Sequence, residues 1–238
     1  MPRKHLIESQ CNKKQQFQAK KQQKLAREIK AAVKVGGNNP DANPRLKAAI
    51  EKALRNGLSK DSIDKNVNGK QDNTVLTSCE FECYGPQGIK IIVGALTDNT
   101  NRTISSLNGY LSKLHGELAK TNSVKVFFDK FGYIILLKDP KTNVDQIFEE
   151  LMEFNIHEIE EDEEGEGIEI KTEVNDFYAV KDLLIKNGYN IYEAEIKLIP
   201  QDYITTLTDD SKERLERFVN SCEDDDDMQW VITNFSEE

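Results

Sequence analysis

The strongest candidates for ligand contacts in this chain are basic residues near its beginning. The first 60 residues hold 15 lysines and arginines against 4 acidic residues, whereas residues 71–238 hold 15 against 36. Lysine and arginine neutralise the phosphates of nucleic acids, and an acidic surface repels those phosphates. The sequence therefore predicts that the first segment binds a polyanion and that the acidic remainder faces other partners.

Ten basic residues of this segment are the candidate nucleic-acid contacts. An exposed helix usually mixes charges to gain i,i+4 ion pairs, but Glu28 is the only acid between Cys11 and Val35. A solvated helix surface is the alternative interpretation. The candidates are Lys13, Lys14, Lys20, Lys21, Lys24, Arg27, Lys30, Lys34, Arg45 and Lys47.

A second group of residues could contact a phosphate or a partner. Asp98 or Asn99 is a suitable N-cap for the helix that is predicted to follow, and a helix N-terminus attracts anions. Capping alone would explain these residues, so both interpretations stay open. We expect the turn at residues 85–88 to lie at the same end of the sheet. The candidates are Tyr84, Gly85, Pro86, Gly88, Asp98, Asn99, Asn101, Arg102 and Thr103.

Other chemistry lacks the residues it requires. Cys79 and Cys83 are spaced to share one face of a strand, but a zinc site needs two further ligands, and the three histidines have no ligand spacing. The acidic runs at 158–166 and 223–227 lack the residue order of a calcium loop. The chain has no P-loop, nucleophile elbow or glycine-rich dinucleotide turn. We therefore predict a protein with no metal, no cofactor and no enzymatic activity.

Length and hydropathy set the broad class. The chain has 238 residues, of which 37% are hydrophobic, enough for modest cores in one large domain or a few small ones. Its apolar runs are far shorter than the roughly 20 residues of a membrane-spanning helix. No apolar leader follows the first basic residues. We expect a cytoplasmic protein that does not bind membranes.

Hydrophobic periodicity predicts an α+β fold. Leu25, Ile29 and Val33 lie on one face of a helix that ends at Gly36, and two shorter helices follow. Residues 77–84 alternate and residues 89–96 form an apolar run typical of a buried strand, so the two predict a hairpin, and residues 123–128 are predicted to form a further strand. The order of elements between residues 130 and 199 is β-α-β-β-α-β, the ferredoxin-like arrangement.

These patterns predict three domains. A basic helical domain with a mobile N-terminal arm covers residues 1–74. Residues 75–129 and 200–238 form a discontinuous middle α/β domain, because a helix and strand after Pro200 cannot form a core alone. The ferredoxin-like domain, residues 130–199, is inserted into the middle domain.

Several stretches of the chain resemble the YebC/PmpR family, whose members include probable transcriptional regulators and a mitochondrial translational activator of cytochrome oxidase. The stretches occur in the family's order along nearly the whole chain. They are REI at 27–29, GG at 36–37, NPRL at 43–46, YGPQG at 84–88, TDNTNRT at 97–103, SV at 123–124, IP at 199–200, EDDDD at 223–227 and TN at 233–234.

The resemblance implies a basic helical domain with two α/β domains. It also implies either action on the ribosome, where family members assist translation through difficult sequences such as proline runs, or DNA-binding regulation. We favour ribosomal RNA as the partner and a monomeric state, with DNA as the alternative. A DNA-binding helix-turn-helix is the weaker hypothesis, because Asp61 and Asp64 on the short third helix would face the DNA phosphates.

Overall fold

The computed structural model describes residues 3–69, 76–138, 142–161 and 167–236, with side chains from Gln18 onward. Within these ranges the chain forms seven α-helices and two four-stranded antiparallel sheets. This confirms the α+β class.

Three helices come first: α1 (Arg3–Gly36), α2 (Pro44–Arg55) and α3 (Lys60–Asn68). Asn43 caps α2 by accepting a hydrogen bond from the backbone N–H of Leu46, and its amide donates to the carbonyls of Ala32 and Gly37. One side chain thereby fixes the end of α1 against the start of α2. The predicted apolar stripes of the three helices form a single small core.

Helix α1 includes the predicted N-terminal arm. The backbone is helical and continuous from Arg3, and the mobility of the arm stays a prediction. The amides of Gln18 and Gln22 donate to the carbonyls of Asn56 and Gly57 beyond the end of α2. These long-range contacts support a helix that periodicity alone does not reveal, because the arm has no apolar stripe.

The first sheet has the strand order β3-β1-β2-β8. Its strands are β1 (Thr77–Tyr84), β2 (Lys90–Thr97), β3 (Glu117–Leu118) and β8 (Met228–Thr233). Helices α4 (Thr100–Leu114) and α7 (Asp209–Asp224) pack against each other and bury their apolar residues beside the sheet. The last strand thus returns to the sheet that the first hairpin begins.

The turn at residues 85–88 does not lie at the predicted end of the sheet. Tyr84 pairs with Lys90 next to this turn, while Thr77 pairs with Thr97 at the other end of the hairpin. Helix α4 begins just after Thr97, so its N-terminus and the turn lie at opposite ends of the sheet. Since eight residues of antiparallel strand separate them, they cannot hold one ligand together.

The second sheet has the order β5-β6-β4-β7 and a ferredoxin-like topology. Its strands are β4 (Phe128–Leu137), β5 (Ile156–Glu161), β6 (Gly167–Thr172) and β7 (Ile191–Pro200). Helices α5 (Val144–Glu150) and α6 (Phe177–Lys186) bury the apolar residues of one sheet face. This segment therefore has a core of its own.

The prediction of a separate strand at residues 123–128 is wrong. Lys125–Phe127 forms a short 3-10 turn, and β4 runs without a break from Phe128 to Leu137. Gly132 lies inside β4, where a side chain would overlap Phe177 and Thr172. The glycine therefore allows close packing within the strand.

By internal contacts the chain divides into two compact units. One comprises residues 1–123 with 206–233, and the other comprises residues 124–205 with 234–238. The basic helices belong to the same unit as the first sheet, and the division into three domains stays a prediction. In the part of the chain described here, no helix is both long and apolar enough to cross a membrane.

Candidate nucleic-acid interface

The candidate basic residues of α1 fall into two sets, and the first contacts the acidic turn at residues 224–227. Lys20 Nζ lies 2.7 Å from a carboxylate oxygen of Asp224. Lys24 donates to the carbonyl of Cys222, and Arg27 donates to the carbonyls of Leu96 and Asp226. We call Lys20, Lys24 and Arg27 the docked cations, because they fasten α1 to the first sheet.

Asp227 is the centre of this contact and is 7% exposed. One carboxylate oxygen accepts a hydrogen bond from Arg27 at 2.9 Å. The other accepts from Arg102 at 2.6 Å and from the hydroxyls of Thr97 and Thr103. Residues from α1, β2, α4 and the turn before β8 therefore meet at one buried carboxylate, which is paired and hydrogen-bonded as a buried charge requires.

Burial and charge shift the pKa values here in opposite directions. Burial tends to raise the pKa of Asp227, but hydrogen bonds from Arg102, Arg27 and Thr97 outweigh it and lower the pKa below the ordinary 3.8. Burial lowers the pKa of Lys24, and the nearby carboxylates offset only part of that change. The ionised form of Asp227 is thus the one that the fold stabilises.

The second set has exposed side chains. Lys21, Lys30, Arg45 and Lys47 form no hydrogen bond or ion pair with any residue that the structure describes. Lys34 is also exposed. We call Lys21, Lys30, Arg45 and Lys47 the open cations. Lys13 and Lys14 lie on α1 where side chains are outside the described residues.

A cleft of about 570 Å³ lies along one side of α1. Lys30, Lys34 and Lys65 line it, together with Asp98 and the turn at 224–227. Lys65 on α3 is a basic residue that the sequence analysis misses, because Asp61 and Asp64 balance the basic residues of α3. Only the folded arrangement of α1 and α3 brings Lys65 and Lys30 to one cleft.

A second cleft of about 240 Å³ lies on the other side of α1, against the first sheet. Its basic residues are Lys21, Lys24, Arg45 and Lys52, and its sheet wall includes Trp230. Lys52 forms an ion pair with Glu28 at 3.6 Å. Sequence reasoning misses Lys52 and Trp230 as site residues, since Trp230 is almost 200 residues from the basic helices.

The second candidate group serves mainly as structure. Asn99 caps α4 by accepting from the backbone N–H of Arg102, and Arg102 forms ion pairs with Asp98 and Asp227. These hydrogen bonds raise the pKa of Arg102 above its ordinary value. Asn99 therefore already caps this helix N-terminus, and Arg102 is already paired with two carboxylates. Asn101 lies in the first turn with an exposed side chain.

The turn between β1 and β2 is also held by local contacts. The Tyr84 hydroxyl donates to the carbonyl of Ser123 at 2.8 Å, and Gln87 contacts Thr208 at the start of α7. Pro86 and Gly88 bound a one-turn 3-10 helix after Gly85. In the described residues no cluster of three or more histidine, cysteine or acidic side chains has the geometry to hold a metal ion.

The comparisons with known proteins agree with this architecture. The sequence model of the TACO1/YebC N-terminal domain matches residues 3–73, and that of the TACO1/YebC second and third domain matches residues 76–235. The chain is 30% identical to a conserved hypothetical protein of Aquifex aeolicus in a crystal structure, with a TM-score of 0.76. That match covers 92% of this chain and 90% of the other.

Curated relatives match along their full length. A protein of Ureaplasma urealyticum is 56% identical over 100% of both chains. A protein of Mycoplasma genitalium is 48% identical over 98% of both chains, and one of Lactobacillus helveticus is 35% identical over 98% of this chain and 97% of its own. All three carry the name probable transcriptional regulatory protein.

The fold and the basic face define a class of α+β protein in which a three-helix basic segment precedes two antiparallel sheets. The full-length relatives and the two matching domain models make the assignment specific. This chain belongs to the TACO1/YebC family, which confirms the resemblance of its motifs. These relatives are named as probable regulatory proteins and not as enzymes.

Proposed function

We propose that this protein acts in the cytoplasm as a non-enzymatic translation factor that binds ribosomal RNA and assists synthesis through difficult sequences. The open cations supply the RNA contact. Phosphate binding by lysine and arginine gives affinity with little reading of base sequence, which suits a large RNA surface.

The observation that carries this proposal is the division of the basic residues. Lys21, Lys30, Arg45 and Lys47 are exposed and have no partner within the described part of the chain. An exposed cation that stabilises nothing inside the protein is free to release counterions from a polyanion. The docked cations are already used in the fold and contribute less.

The acidic body gives the contact an orientation. Residues 71–238 hold 36 acidic residues against 15 basic ones, so this part is repelled by bare phosphate. We propose that it faces proteins or tRNA while the basic helices lie on RNA. Every molecule of this protein that binds the RNA would then have the same orientation on it.

The second candidate is a DNA-binding transcriptional regulator that uses the same helices. The names of the relatives favour it, since all three are probable transcriptional regulatory proteins. A regulator of this kind prefers its own site over random duplex by at least about a thousandfold. A ribosome factor has no such preference.

Co-sedimentation with ribosomes at low and physiological salt tests the proposal. We expect the unaltered protein to sediment with ribosomes at both salt concentrations. The variant Lys21→Glu/Lys30→Glu/Arg45→Glu/Lys47→Glu should stay in the supernatant. The matched control reverses four exposed lysines elsewhere, Lys113, Lys120, Lys130 and Lys186, and should sediment normally.

Two results contradict the proposal. Equal loss in both variants would mean that net charge alone drives sedimentation. Absence of sedimentation together with tight, sequence-selective binding to one DNA duplex would favour the regulator.

A further inference from the structure

The cleft between α1, α2 and the first sheet joins basic residues to the single tryptophan of the chain. Trp230 on β8 pairs with Gly94 on β2. A side chain at Gly94 would overlap the indole ring, so the ring rests directly on the backbone of β2. Glycine at this position gives a large aromatic ring room to lie against the sheet.

The indole is accessible from the cleft. Trp230 lines this cleft of about 240 Å³ and is partly exposed. Its Nε1–H has no acceptor among the described residues, and no buried side-chain nitrogen or oxygen in those residues lacks a partner. The Nε1 atom is therefore in contact with solvent and can donate to an incoming group.

Four basic residues share the cleft with the indole ring. Lys21, Lys24, Arg45 and Lys52 line the same cleft. Lys24 is held by the carbonyl of Cys222 and Lys52 by Glu28, so Lys21 and Arg45 remain open. An aromatic ring beside unpaired cations is the combination that binds single-stranded nucleic acid, because the ring stacks on a base while the cations hold phosphates.

The size of the cleft limits the ligand. Its volume is below the range of about 300–1,000 Å³ that is typical of pockets for larger small molecules, and it suits one base with its ribose. Amides of Asn56 and Gln229 and the carboxylate of Glu80 also line it. Such groups can pair with the polar edge of a base, and that edge is available only when the base is unpaired.

We propose that this cleft binds one unpaired base of a single-stranded RNA, with the base against Trp230 and the flanking phosphates on Lys21 and Arg45. The inference rests on the proposed RNA binding and adds an unpaired nucleotide as the preferred target. A base inside a duplex cannot reach the indole, so duplex binds only through the phosphate contacts.

The fluorescence of the single tryptophan reports whether RNA binds at this cleft. The full chain is titrated with a nine-nucleotide single-stranded RNA and with the same sequence as a duplex. Indole fluorescence and the anisotropy of a dye on the RNA are followed together. We expect the single strand to change the fluorescence saturably over the range in which anisotropy rises, and the duplex to leave it unchanged.

Three variants separate stacking from folding. Trp230→Leu should weaken binding of the single strand by about tenfold, as expected for one lost base stack, and leave duplex binding unchanged. Trp230→Phe keeps an aromatic ring and should lose less than about threefold. Phe148→Leu removes an exposed aromatic ring of the other unit and should have no effect.

The outcomes distinguish this inference from the proposed function. RNA binding without a change in indole fluorescence overturns the inference and leaves RNA binding intact. Absence of any RNA binding overturns both. Equal weakening of single strand and duplex by Trp230→Leu also overturns it, because Trp230 would then act only through the fold.

Discussion

Two sets of cations on helix α1 consist of the same residue types and have different uses. Lys20 and Arg27 contact the acidic turn before β8, and Lys24 contacts the carbonyl of Cys222 near the end of α7. Lys21 and Lys30, which line different clefts, are exposed and have no partner in the described part of the chain. A positive charge on this helix is therefore either structural or available, depending on its position around the helix.

This difference changes how a charge-reversal experiment is interpreted. A variant that reverses Lys20, Lys24 and Arg27 breaks contacts within the fold as well as any contact with RNA. Loss of binding in that variant would not locate the interface. The open cations provide the cleaner test, because their side chains stabilise nothing else among the residues described.

The largest expected effect on stability comes from the carboxylate that holds the docked cation Arg27. Asp227→Asn should lower the free energy of unfolding by about 3 kcal/mol, because Arg27 and Arg102 lose their shared buried carboxylate. Denaturant unfolding measures this change. Asp226→Asn is the matched control, since its carboxylate is exposed, and should change stability by less than about 0.5 kcal/mol. Similar values for both variants would remove the basis for calling the contact a structural anchor.

A matched pair on α1 tests the comparison directly. Arg27→Met should lower the free energy of unfolding by about 2 kcal/mol, because it leaves Asp227 and the carbonyl of Leu96 with one donor fewer. Lys30→Met should stay within about 0.5 kcal/mol. Both are measured by denaturant unfolding of the full chain, and comparable losses in the two would contradict the division.

The docked contact should also depend on pH. The folded protein lowers the pKa of Asp227 below 3.8, so its contribution to stability is present above that value and is lost as the pH falls through the lowered pKa. The stability difference between the unaltered protein and Asp227→Asn should therefore narrow on acidification from pH 7 toward pH 3. A difference that stays constant over this range would mean that the charge of Asp227 is not what stabilises the fold.

The smallest expected effect on stability concerns a residue that is neither a docked nor an open cation. His115 ends α4 with a positive φ of 62°, a conformation that favours glycine. His115→Gly should raise the free energy of unfolding by about 0.5 kcal/mol, since relief of backbone strain is partly offset by the entropy of glycine. RNA affinity should not change. A loss of stability on denaturant unfolding would show that the imidazole contributes more than its backbone conformation costs.

Local patterns predict much of this fold. The stripe of Leu25, Ile29 and Val33 fixes the core face of α1 because helical periodicity is a property of neighbouring residues. The ferredoxin-like order of elements is likewise confirmed by the second sheet. Residues 123–128 are the exception, because a short 3-10 turn at Lys125–Phe127 takes the place of the predicted strand.

The site is harder to predict because its contacts are distant in sequence. The chain separation between Arg27 and Asp227 is 200 residues, and no local pattern pairs them. The same holds for Gly94 beneath Trp230 and for the cleft that Lys65 and Lys30 share. Counting charges identifies the basic segment, whereas only the fold separates its docked cations from its open cations.

The affinity of two matched variants for ribosomal RNA distinguishes the two sets of cations. One variant, Lys30→Gln/Lys47→Gln, removes two open cations, and the other, Lys20→Gln/Lys24→Gln, removes two docked cations. Anisotropy of a labelled ribosomal RNA fragment is measured over a range of salt concentrations.

The variant without the two open cations should bind about tenfold more weakly, and its dependence on log salt should be shallower by about two, one for each lost phosphate contact. The variant without the two docked cations should stay within about threefold of the unaltered protein, with the same salt dependence. The opposite ranking would contradict the proposed RNA contact and would show that the docked cations bind the RNA.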